Sequence, residues 1–311
     1  MSREADHDSD KAAFRAGVGG GDGFAASGSR LGRDQGLAWW CGGLSLSDGQ
    51  MRLPPSFLYG DLDPAMLAPV LAKHGMTPDD PLTPAINITL LRDADRIVLF
   101  DAGAGPGFQD GTGLLPDALA AAGISPEDIT HVVFTHCHPD HLWGVLDDFD
   151  DPLFANAKHL MGRQEWDYWF DSATVDTIGE DRASMAVGAR RRMEILADRI
   201  TLFDDGAELL PGIAARATFG HSPGHMSFEI ARGTDRIMIL GDAVTNAHVS
   251  FSEPSWEIAS DQDPVTAARV RQQLLQQLAS EQLLVVGYHL PDGGMGYVEA
   301  TGGGYRFVPG V

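Results

Sequence analysis

The sequence predicts a layered domain of the α+β or α/β class, in which helices cover β-sheets. Three observations lead to this fold class. Apolar residues make up 43% of the 311 residues and recur along the chain, so a sizeable core is expected. Short apolar runs separated by turn residues fill the region after residue 37, which favours strands. Runs with helical period then alternate with further strand-like runs towards the C-terminus.

The N-terminal 36 residues differ in composition from the rest. They are rich in Gly, Ser and Asp and contain no apolar segment typical of a secretory signal. We therefore expect a disordered leader over residues 1–36 and a single folded domain over residues 37–311. Two cysteines, Cys41 and Cys137, form no CxxC pair, and with the missing signal this favours a cytoplasmic location.

The charge balance limits the partners that the chain could bind. The net charge is −22, from 44 acidic and 22 basic residues. Such a field repels nucleic acids and anionic membranes, and no apolar stretch is long enough to span a bilayer. We expect a neutral small-molecule partner, with no nucleic acid and no membrane.

The first half of the domain is predicted to consist mainly of strands. AWWCGGLSLSDGQMRL predicts two strands joined by a turn at Asp48-Gly49. PAINITLLRDADRIVLFDAG predicts a strand, a polar turn and the buried strand Ile97–Phe100. LLPDALAAAGISPEDI contains a helix that ends at Gly123, and ITHVVFTH predicts the next buried strand.

The second half alternates helices and strands. EWDYWFDSA and DRASMAVGARRRMEILADRI have helical period, whereas RATFG, SFEIARG and DRIMILGDAV are typical of strands. DPVTAARVRQQLLQQLAS predicts a helix with Asp263 or Asp261 at its N-terminal cap. QLLVVGYH predicts a last buried strand.

The motif HCHPDH, residues 136–141, indicates a metal site. His136 and His138 follow a strand at alternate positions, so both imidazoles can face one ion. Asp140 and His141 follow at a strand-to-helix junction and can face a second ion. Imidazole with carboxylate suits Zn²⁺, Mn²⁺ or Fe²⁺.

Two ions need more ligands than this motif supplies. His225, Asp242 and His289 each come directly after a strand-like run, where open sheets place their sites. His221, four residues before His225 in HSPGH, is interpreted as structural.

Seven residues match, in order, the metal ligands of the metallo-β-lactamase superfamily, including the HSPGH and LGDA contexts. They are His136, His138, Asp140, His141, His225, Asp242 and His289. Within the superfamily the chain resembles the branch of methyl parathion hydrolase and quorum-quenching lactonases. The segments that carry this resemblance are LSLSDG, ISPEDITHVVFTHCHPDHLWG, EWDYWF and GYHLPDGGMGYVEATGGGYRFVPGV.

The resemblance implies a four-layer αββα sandwich, with residues 37–311 as one catalytic domain that holds two divalent ions. The ions would be Zn²⁺, with Mn²⁺, Fe²⁺ or Co²⁺ as alternatives, and a homodimer is compatible with the family. The implied ligands are His136, His138 and His225 for one ion, Asp140, His141 and His289 for the other, and Asp242 as the bridge. Asp101 would orient a ligand imidazole.

The implied reaction is hydrolysis, in which a metal-bridging hydroxide attacks a lactone or aryl ester, and also organophosphate triesters. Asp140 and Asp242 would be the catalytic residues, with Asp140 moving a proton to the leaving group. The alternative is a one-iron, non-hydrolytic member that resembles persulfide dioxygenases. The ligands Asp140, His141 and His289 favour two metals instead.

Two aromatic residues are predicted to line the substrate pocket. They are Phe108 and Trp169, although the spacing of Trp169 in EWDYWF is also typical of a core helix. The sequence departs from its relatives at two places. DAVTNAHVS lacks the tyrosine that many lactonases have after the bridging aspartate, and LPPSFLYGD lacks the pocket arginine of methyl parathion hydrolase.

Overall fold

A computed structural model describes residues 38–40, 42–93 and 95–310 of the chain. The predicted leader, residues 1–36, lies outside the described residues, and its boundary stays a prediction. None of the described helices is long and apolar enough to cross a membrane.

Two mixed β-sheets form the centre of the described fold. The strands of the first sheet lie in chain order: β1 (Ala38–Trp40), β2 (Gly43–Gln50), β3 (Ala85–Asp93), β4 (Arg96–Phe100), β5 (His131–Val133), β6 (Lys158–Gly162) and β7 (Ile200–Phe203). The second sheet has the reverse order, β14 to β8: β8 (Glu208–Leu210), β9 (Ile213–Ala217), β10 (Met226–Arg232), β11 (Asp235–Gly241), β12 (Leu284–Gly287), β13 (Met295–Ala300) and β14 (Tyr305–Pro309). Strands β4 to β7 are parallel, and so are β11 and β12.

Helices cover the outer face of each sheet. They are α1 (Pro55–Tyr59), α2 (Pro64–Ala72), α3 (Leu115–Ala121), α4 (Pro139–Leu142), α5 (Arg163–Phe170), α6 (Thr174–Thr177), α7 (Ala183–Leu196), α8 (Val249–Ser252) and α9 (Pro264–Glu281). Asp263 caps α9 by accepting from the Thr266 N–H, as one of the two predicted caps.

The core has three layers because alternate strand residues point to opposite faces. Val98 and Phe100 face the second sheet, where Phe100 lies 5.3 Å from Phe228 between ring centroids. Leu99 faces the other way and packs in the cluster that includes residues of α3, α5 and α7. On the second sheet, α9 covers β11 and β12 through Leu274, Leu275 and Leu278. This arrangement confirms the predicted αββα sandwich.

The predicted turn at Asp48-Gly49 is wrong. Both residues lie inside β2, where a register shift against β3 occurs between Ser47 and Gly49. Asp48 is fully buried and accepts from the backbone N–H groups of Ala104 (2.8 Å) and Leu115 (2.7 Å). A residue pair typical of hairpin turns instead forms a bulge whose carboxylate organises the loop before α3.

Candidate metal centre

The polar residues singled out in the sequence gather at one edge of the two sheets. Asp101 follows β4, and the motif at 136–141 follows the neighbouring parallel strand β5. Asp242 follows β11, and His289 lies two residues after β12, again a parallel pair. Parallel strands end at the same edge, so four separate chain segments meet there.

The motif HCHPDH turns from strand to helix within a few residues. His138 is the cap residue of α4 in extended conformation, and Pro139 is the first helical residue, where a missing N–H does no harm. Asp140 and His141 therefore lie in the first turn of the helix. All four ligand-type residues of the motif are buried, with at most 8% of the residue surface exposed.

Three groups of ligand-type atoms form, each with all atoms within 4.8 Å of one another: His136, His138 and His221; His136, His141 and Asp242; and Asp140, His141 and His289. The middle group shares one residue with each of the others. The two carboxylate oxygens of Asp242 lie 3.4 Å from His141 Nε2 and 3.3 Å from His289 Nε2. The groups thus form one continuous cluster with Asp242 at its centre.

Several polar atoms of this cluster are buried and have no hydrogen-bond partner among the described residues. They are His136 Nε2, His138 Nε2, Asp140 Oδ2, His141 Nε2 and Asp242 Oδ1. Buried polar atoms are nearly always paired in native proteins, and leaving one unpaired costs roughly 1–3 kcal/mol. Five such nitrogen and oxygen atoms in one cluster are what a cation-binding site requires.

The electrostatics of the cluster also fit cations. Burial lowers the pKa of His141, but Asp140, Asp242 and Asp101 outweigh it and raise the pKa to about 10. At His289, burial is likewise outweighed by Asp242 and Asp140, and the pKa lies well above its usual value. Excess carboxylate therefore attracts positive charge here. Divalent metal ions are a chemically suitable source of that charge.

The imidazoles of His136 and His138 are held neutral. Burial is the largest cause that places the pKa of His136 and of His138 well below the usual value, and neighbouring histidines add to it. A neutral imidazole keeps a lone pair on one ring nitrogen, as a metal ligand requires.

Asp101 contacts His141 as expected from the sequence. Its Oδ2 lies 2.9 Å from His141 Nδ1 and accepts from the Thr135 hydroxyl, and its Oδ1 accepts from the Thr135 N–H. The backbone of Asp101 is left-handed, with φ of 65°, which Asp tolerates better than most residues. The carboxylate therefore orients the imidazole and directs Nε2 into the cluster.

The geometry differs from the sequence-based assignment at His225. His225 belongs to none of the three groups: its Nδ1 lies 2.8 Å from the Thr218 hydroxyl, and its Nε2 accepts from the backbone N–H of Asp242 at 2.9 Å. His221 instead joins His136 and His138. The motif HSPGH contains both histidines, and only the direction of each side chain in the folded loop distinguishes them.

His225 positions Asp242 and belongs to none of the three groups. Its acceptor nitrogen holds the backbone of Asp242 at the end of β11. The preceding residue, Gly241, has φ of +52°, and a Cβ there would lie 2.7 Å from His225 Nε2. Glycine is therefore required for this approach.

Trp169 does not line a pocket, contrary to the prediction. Its side chain is fully buried, its indole N–H donates to Glu165 at 2.6 Å, and its ring packs edge-on against His138. Its position on the helix places this aromatic residue in the core, and it contacts the site through the ring of His138.

Two supporting residues carry no signal in the sequence motif. Glu165, at the start of α5, accepts from the Cys137 N–H and from the Ser222 hydroxyl, so it connects both loops that carry ligand histidines. Tyr288 stacks on His141 with ring centroids 3.7 Å apart, and its hydroxyl donates to the Asp140 carbonyl at 2.6 Å.

A cavity of about 610 Å³ opens onto the cluster. Its floor includes His138, Asp140, His221, Asp242 and His289. Its walls are largely apolar, and Phe108, predicted as a wall residue, is among them, together with Phe57, Leu58, Met76 and Met185. Arg182 is the one lysine or arginine that lines this cavity within the described part of the chain.

Comparison with known proteins places this site in a family. A family model described as the metallo-beta-lactamase superfamily matches residues 83–289. The N-acyl homoserine lactonases AttM of Azorhizobium caulinodans and of Agrobacterium fabrum are each 26% identical over 188 residues, which cover 59% and 57% of this chain. The match spans 66% and 64% of those relatives, slightly less than two thirds of their length.

Solved structures agree with this placement. AidC, described as a dizinc quorum-quenching lactonase in complex with a product, has a TM-score of 0.81 and 25% identity, with 86% of this chain and 94% of AidC covered. The hydrolase AbOPH has the same TM-score at 24% identity, with 88% and 97% covered, and shows the shared fold. The chain therefore belongs to the metallo-beta-lactamase superfamily, and its similarities support the quorum-quenching lactonase branch.

Proposed function

We propose that this chain is a dinuclear metal-dependent hydrolase that opens lactones, with aryl esters and organophosphate triesters as weaker substrates. The observation that carries the proposal is the continuous cluster of buried, unpartnered ligand atoms on the floor of an apolar cavity. Such a cavity with a few convergent polar groups is typical of an active site.

Two Zn²⁺ ions are the proposed cofactors. The proposed ligands are His136, His138 and His221 on one side, Asp140, His141 and His289 on the other, and Asp242 between them. When bound, the ions supply an acidified water as nucleophile and polarise the carbonyl oxygen of the substrate. The dizinc description of AidC supports this choice of metal for a protein with the same fold.

The residues of the chain position the reactants and move the proton. Burial raises the pKa of Asp140, but His141 and His289 lower it, and the net shift is downwards. Asp140 is therefore ionised at neutral pH, lies on the cavity floor and is suited to take up a proton and pass it to the leaving alkoxide. The hydroxyl of Tyr288 holds the backbone of Asp140 at 2.6 Å and fixes its position.

A neutral, partly apolar lactone is the proposed substrate class. Apolar walls disfavour charged ligands, and a chain with net charge −22 repels anions. The AttM relatives are named N-acyl homoserine lactonases, so acylated lactones of this kind are the first compounds to test. Thr245 lies three positions after Asp242, in the stretch that lacks the tyrosine of many lactonases, and it lines the cavity.

Hydrolysis assays with a substrate panel test the proposal. We expect Zn-loaded protein to open N-acyl homoserine lactones faster than simple lactones, aryl esters or paraoxon-type triesters. Asp140→Asn should lower kcat/KM by about 100-fold or more, since a proton-transfer group is removed. Asp148→Asn, an exposed change in the loop after α4, is the matched control and should keep the rate. Full activity of Asp140→Asn, or no hydrolysis of any panel member, would contradict the proposal.

Metal analysis separates this function from the one-iron alternative. We expect about two zinc-like ions per chain. One iron per chain with oxygen uptake on a persulfide would instead support the non-hydrolytic function.

A further inference from the structure

A buried chain of side chains lies behind His221. His221 Nδ1 lies 2.9 Å from Asp261 Oδ1, and Asp261 Oδ2 accepts from Arg271 Nη1 at 3.1 Å. The three side chains are at most 4% exposed. Burying an arginine or a carboxylate costs free energy unless the two are paired. Packing alone therefore does not explain why both are present here.

Arg271 is held in place by the backbone. Its Nε donates to the Pro254 carbonyl at 3.2 Å, and its Nη2 donates to the Trp256 carbonyl at 2.6 Å. The arginine lies on α9 and so fixes the segment 254–261 against that helix.

The segment after Asp261 is tied to the loop of His221. The Gln262 N–H donates to the His221 carbonyl at 3.1 Å, and the Asp263 N–H donates to the Gly220 carbonyl at 2.9 Å. Asp261 thus contacts His221 through its side chain, and the two residues after Asp261 bind the His221 loop through backbone hydrogen bonds. The Asp261 carboxylate faces Nδ1 of the His221 ring, so the other ring nitrogen, Nε2, points away from Asp261.

Nε2 of His221 is directed into the cluster. His221 Nε2 lies 2.9 Å from His138 Nδ1 and 3.3 Å from Asp242 Oδ2. Asp101 makes the same contact with His141 on the other side of the cluster, also at 2.9 Å. Each half of the cluster therefore has one histidine that is oriented by a buried carboxylate.

We propose that Asp261, held by Arg271, is a positioning residue that sets the metal affinity of the His136, His138 and His221 group. The inference rests on the proposed metal centre and goes beyond it by assigning α9 and the segment 254–261 a role in binding. Asp261 acts through the tautomer and ring direction of His221. Among the described residues, Asp140, His141 and His289 make no hydrogen bond with His221, Asp261 or Arg271, and Asp242 is the ion-pair partner that the two sides share. The affinity of the group around His289 should therefore depend much less on Asp261.

Zinc titration of metal-free protein against a chelating dye tests the proposal. Wild type should bind two ions. Asn has the same shape as Asp, but its amide N–H₂ would face either Arg271 or His221. For Asp261→Asn we therefore expect zinc to bind about 10- to 100-fold more weakly at one of the two sites, the His136, His138 and His221 group. The other site should keep its affinity. Co²⁺ absorption spectra should change for the same site. Asp263→Asn, the exposed cap of α9 two residues away, is the matched control and should bind both ions as wild type does.

A second variant keeps the test decisive. Asp261→Glu retains the charge but displaces it by one methylene, so we expect weakened binding at the same site, by less than with Asn. Unchanged affinity in either variant would overturn the proposal, and so would an equal loss at both sites together with a lowered Tm of the metal-free protein. If Asp261→Asn does not fold, the Glu variant alone decides. Failure of wild type to bind zinc would instead contradict the proposed function.

Discussion

Glu165 is a residue whose role only its contacts explain. Its two carboxylate oxygens accept four hydrogen bonds, from the Cys137 N–H, the Trp169 indole, the Ser222 hydroxyl and the Gly224 N–H, all between 2.6 and 2.9 Å. Burial raises the pKa of this carboxyl, and the four donors counteract the shift. The carboxylate holds the 136–138 loop and the 221–225 loop at a fixed distance.

Replacing Glu165 by Gln should destabilise the protein. The NH₂ group of Gln would face hydrogen-bond donors at a position where a carboxylate oxygen now accepts. At least one buried N–H is then left unpaired, which costs about 2–3 kcal/mol. Urea denaturation of metal-free protein measures the free energy of unfolding. Glu194→Gln, on the exposed surface of α7, is the control and should change it by no more than about 0.5 kcal/mol. Equal effects of the two variants would contradict the assigned role.

His159 is buried without a partner. Its side chain on β6 is fully buried, neither ring nitrogen has a hydrogen-bond partner, and the ring stacks on Phe134. Burial, with a smaller contribution from Arg199, lowers the pKa of His159 to about 4. The unfolded chain, with an ordinary histidine pKa near 6.5, then binds a proton between pH 6.5 and 4 that the folded state does not.

The stability of wild type should therefore fall as the pH falls from 6.5 towards 4, because protons favour the unfolded state. For this one group the loss between pH 8 and pH 5 is about 2 kcal/mol. His159→Leu removes the titration, so its loss over the same interval should be smaller by that amount. Urea denaturation at both pH values, with a chelator present to exclude metal effects, measures the difference. Parallel losses in both proteins would rule out this origin.

Among the elements, α5 and the loop before β10 approach each other with no space between them. A Cβ at Gly224 would lie 2.1 Å from the backbone nitrogen of Glu165 and 2.5 Å from its Cα. The loop thus packs directly on the first residues of α5. This contact fixes the loop that carries His221 relative to the helix that carries Glu165.

Gly224→Ala should separate the loop from α5. Backbone atoms cannot move aside as a flexible side chain would, so we expect destabilisation by about 3 kcal/mol and weaker zinc binding at one site. Gly302→Ala is the matched control, since it has ordinary φ and no atom within 4 Å of the added Cβ, and it should be neutral. Thermal unfolding and zinc titration of both variants make the comparison. A neutral Gly224→Ala would show that the loop can shift without cost.

For the molecule as a whole, the site concentrates negative charge in a chain that already has net charge −22. Asp101, Asp140 and Asp242 are all buried around two histidines, and without cations these must hold protons to balance them. The cluster joins the ends of strands from both sheets. Bound cations should therefore stabilise the association of the two halves of the sandwich.

Removal of metal should lower the Tm by about 10 °C. A ligand at roughly 1,000 times its Kd stabilises the folded state by about 4 kcal/mol, and each kcal/mol shifts the Tm of a domain of this size by about 2–4 °C. Thermal unfolding before and after chelation measures the shift, and added Zn²⁺ should restore the Tm whereas Mg²⁺ should not. An unchanged Tm after verified metal removal would contradict cation binding at this cluster.

The order of the elements was predictable because it depends on local periodicity. Ile97–Phe100 and the run before Asp242 are continuous apolar segments since both faces of the strand are buried, and α9 has a helical period with a cap at Asp263. The predictions for Asp48-Gly49 and Trp169 failed because local sequence does not determine the role of these residues. A turn pair and an aromatic residue have several uses, and tertiary contacts selected a bulge for the first and the core for the second.

The sequence by itself determined the superfamily, the αββα sandwich and the chemical type of the site, because the motif at 136–141 and the strand-end positions of Asp242 and His289 depend on local spacing. Only the tertiary structure shows that His221 lies with His136 and His138, whereas His225 lies against the backbone of Asp242. Both lie in one short loop, and only the Asp242 N–H, which engages His225, and Asp261, which orients His221, distinguish them. These partners come from the residue after β11 and from the segment before α9, 17 and 40 residues away in sequence, so no local pattern could reveal them.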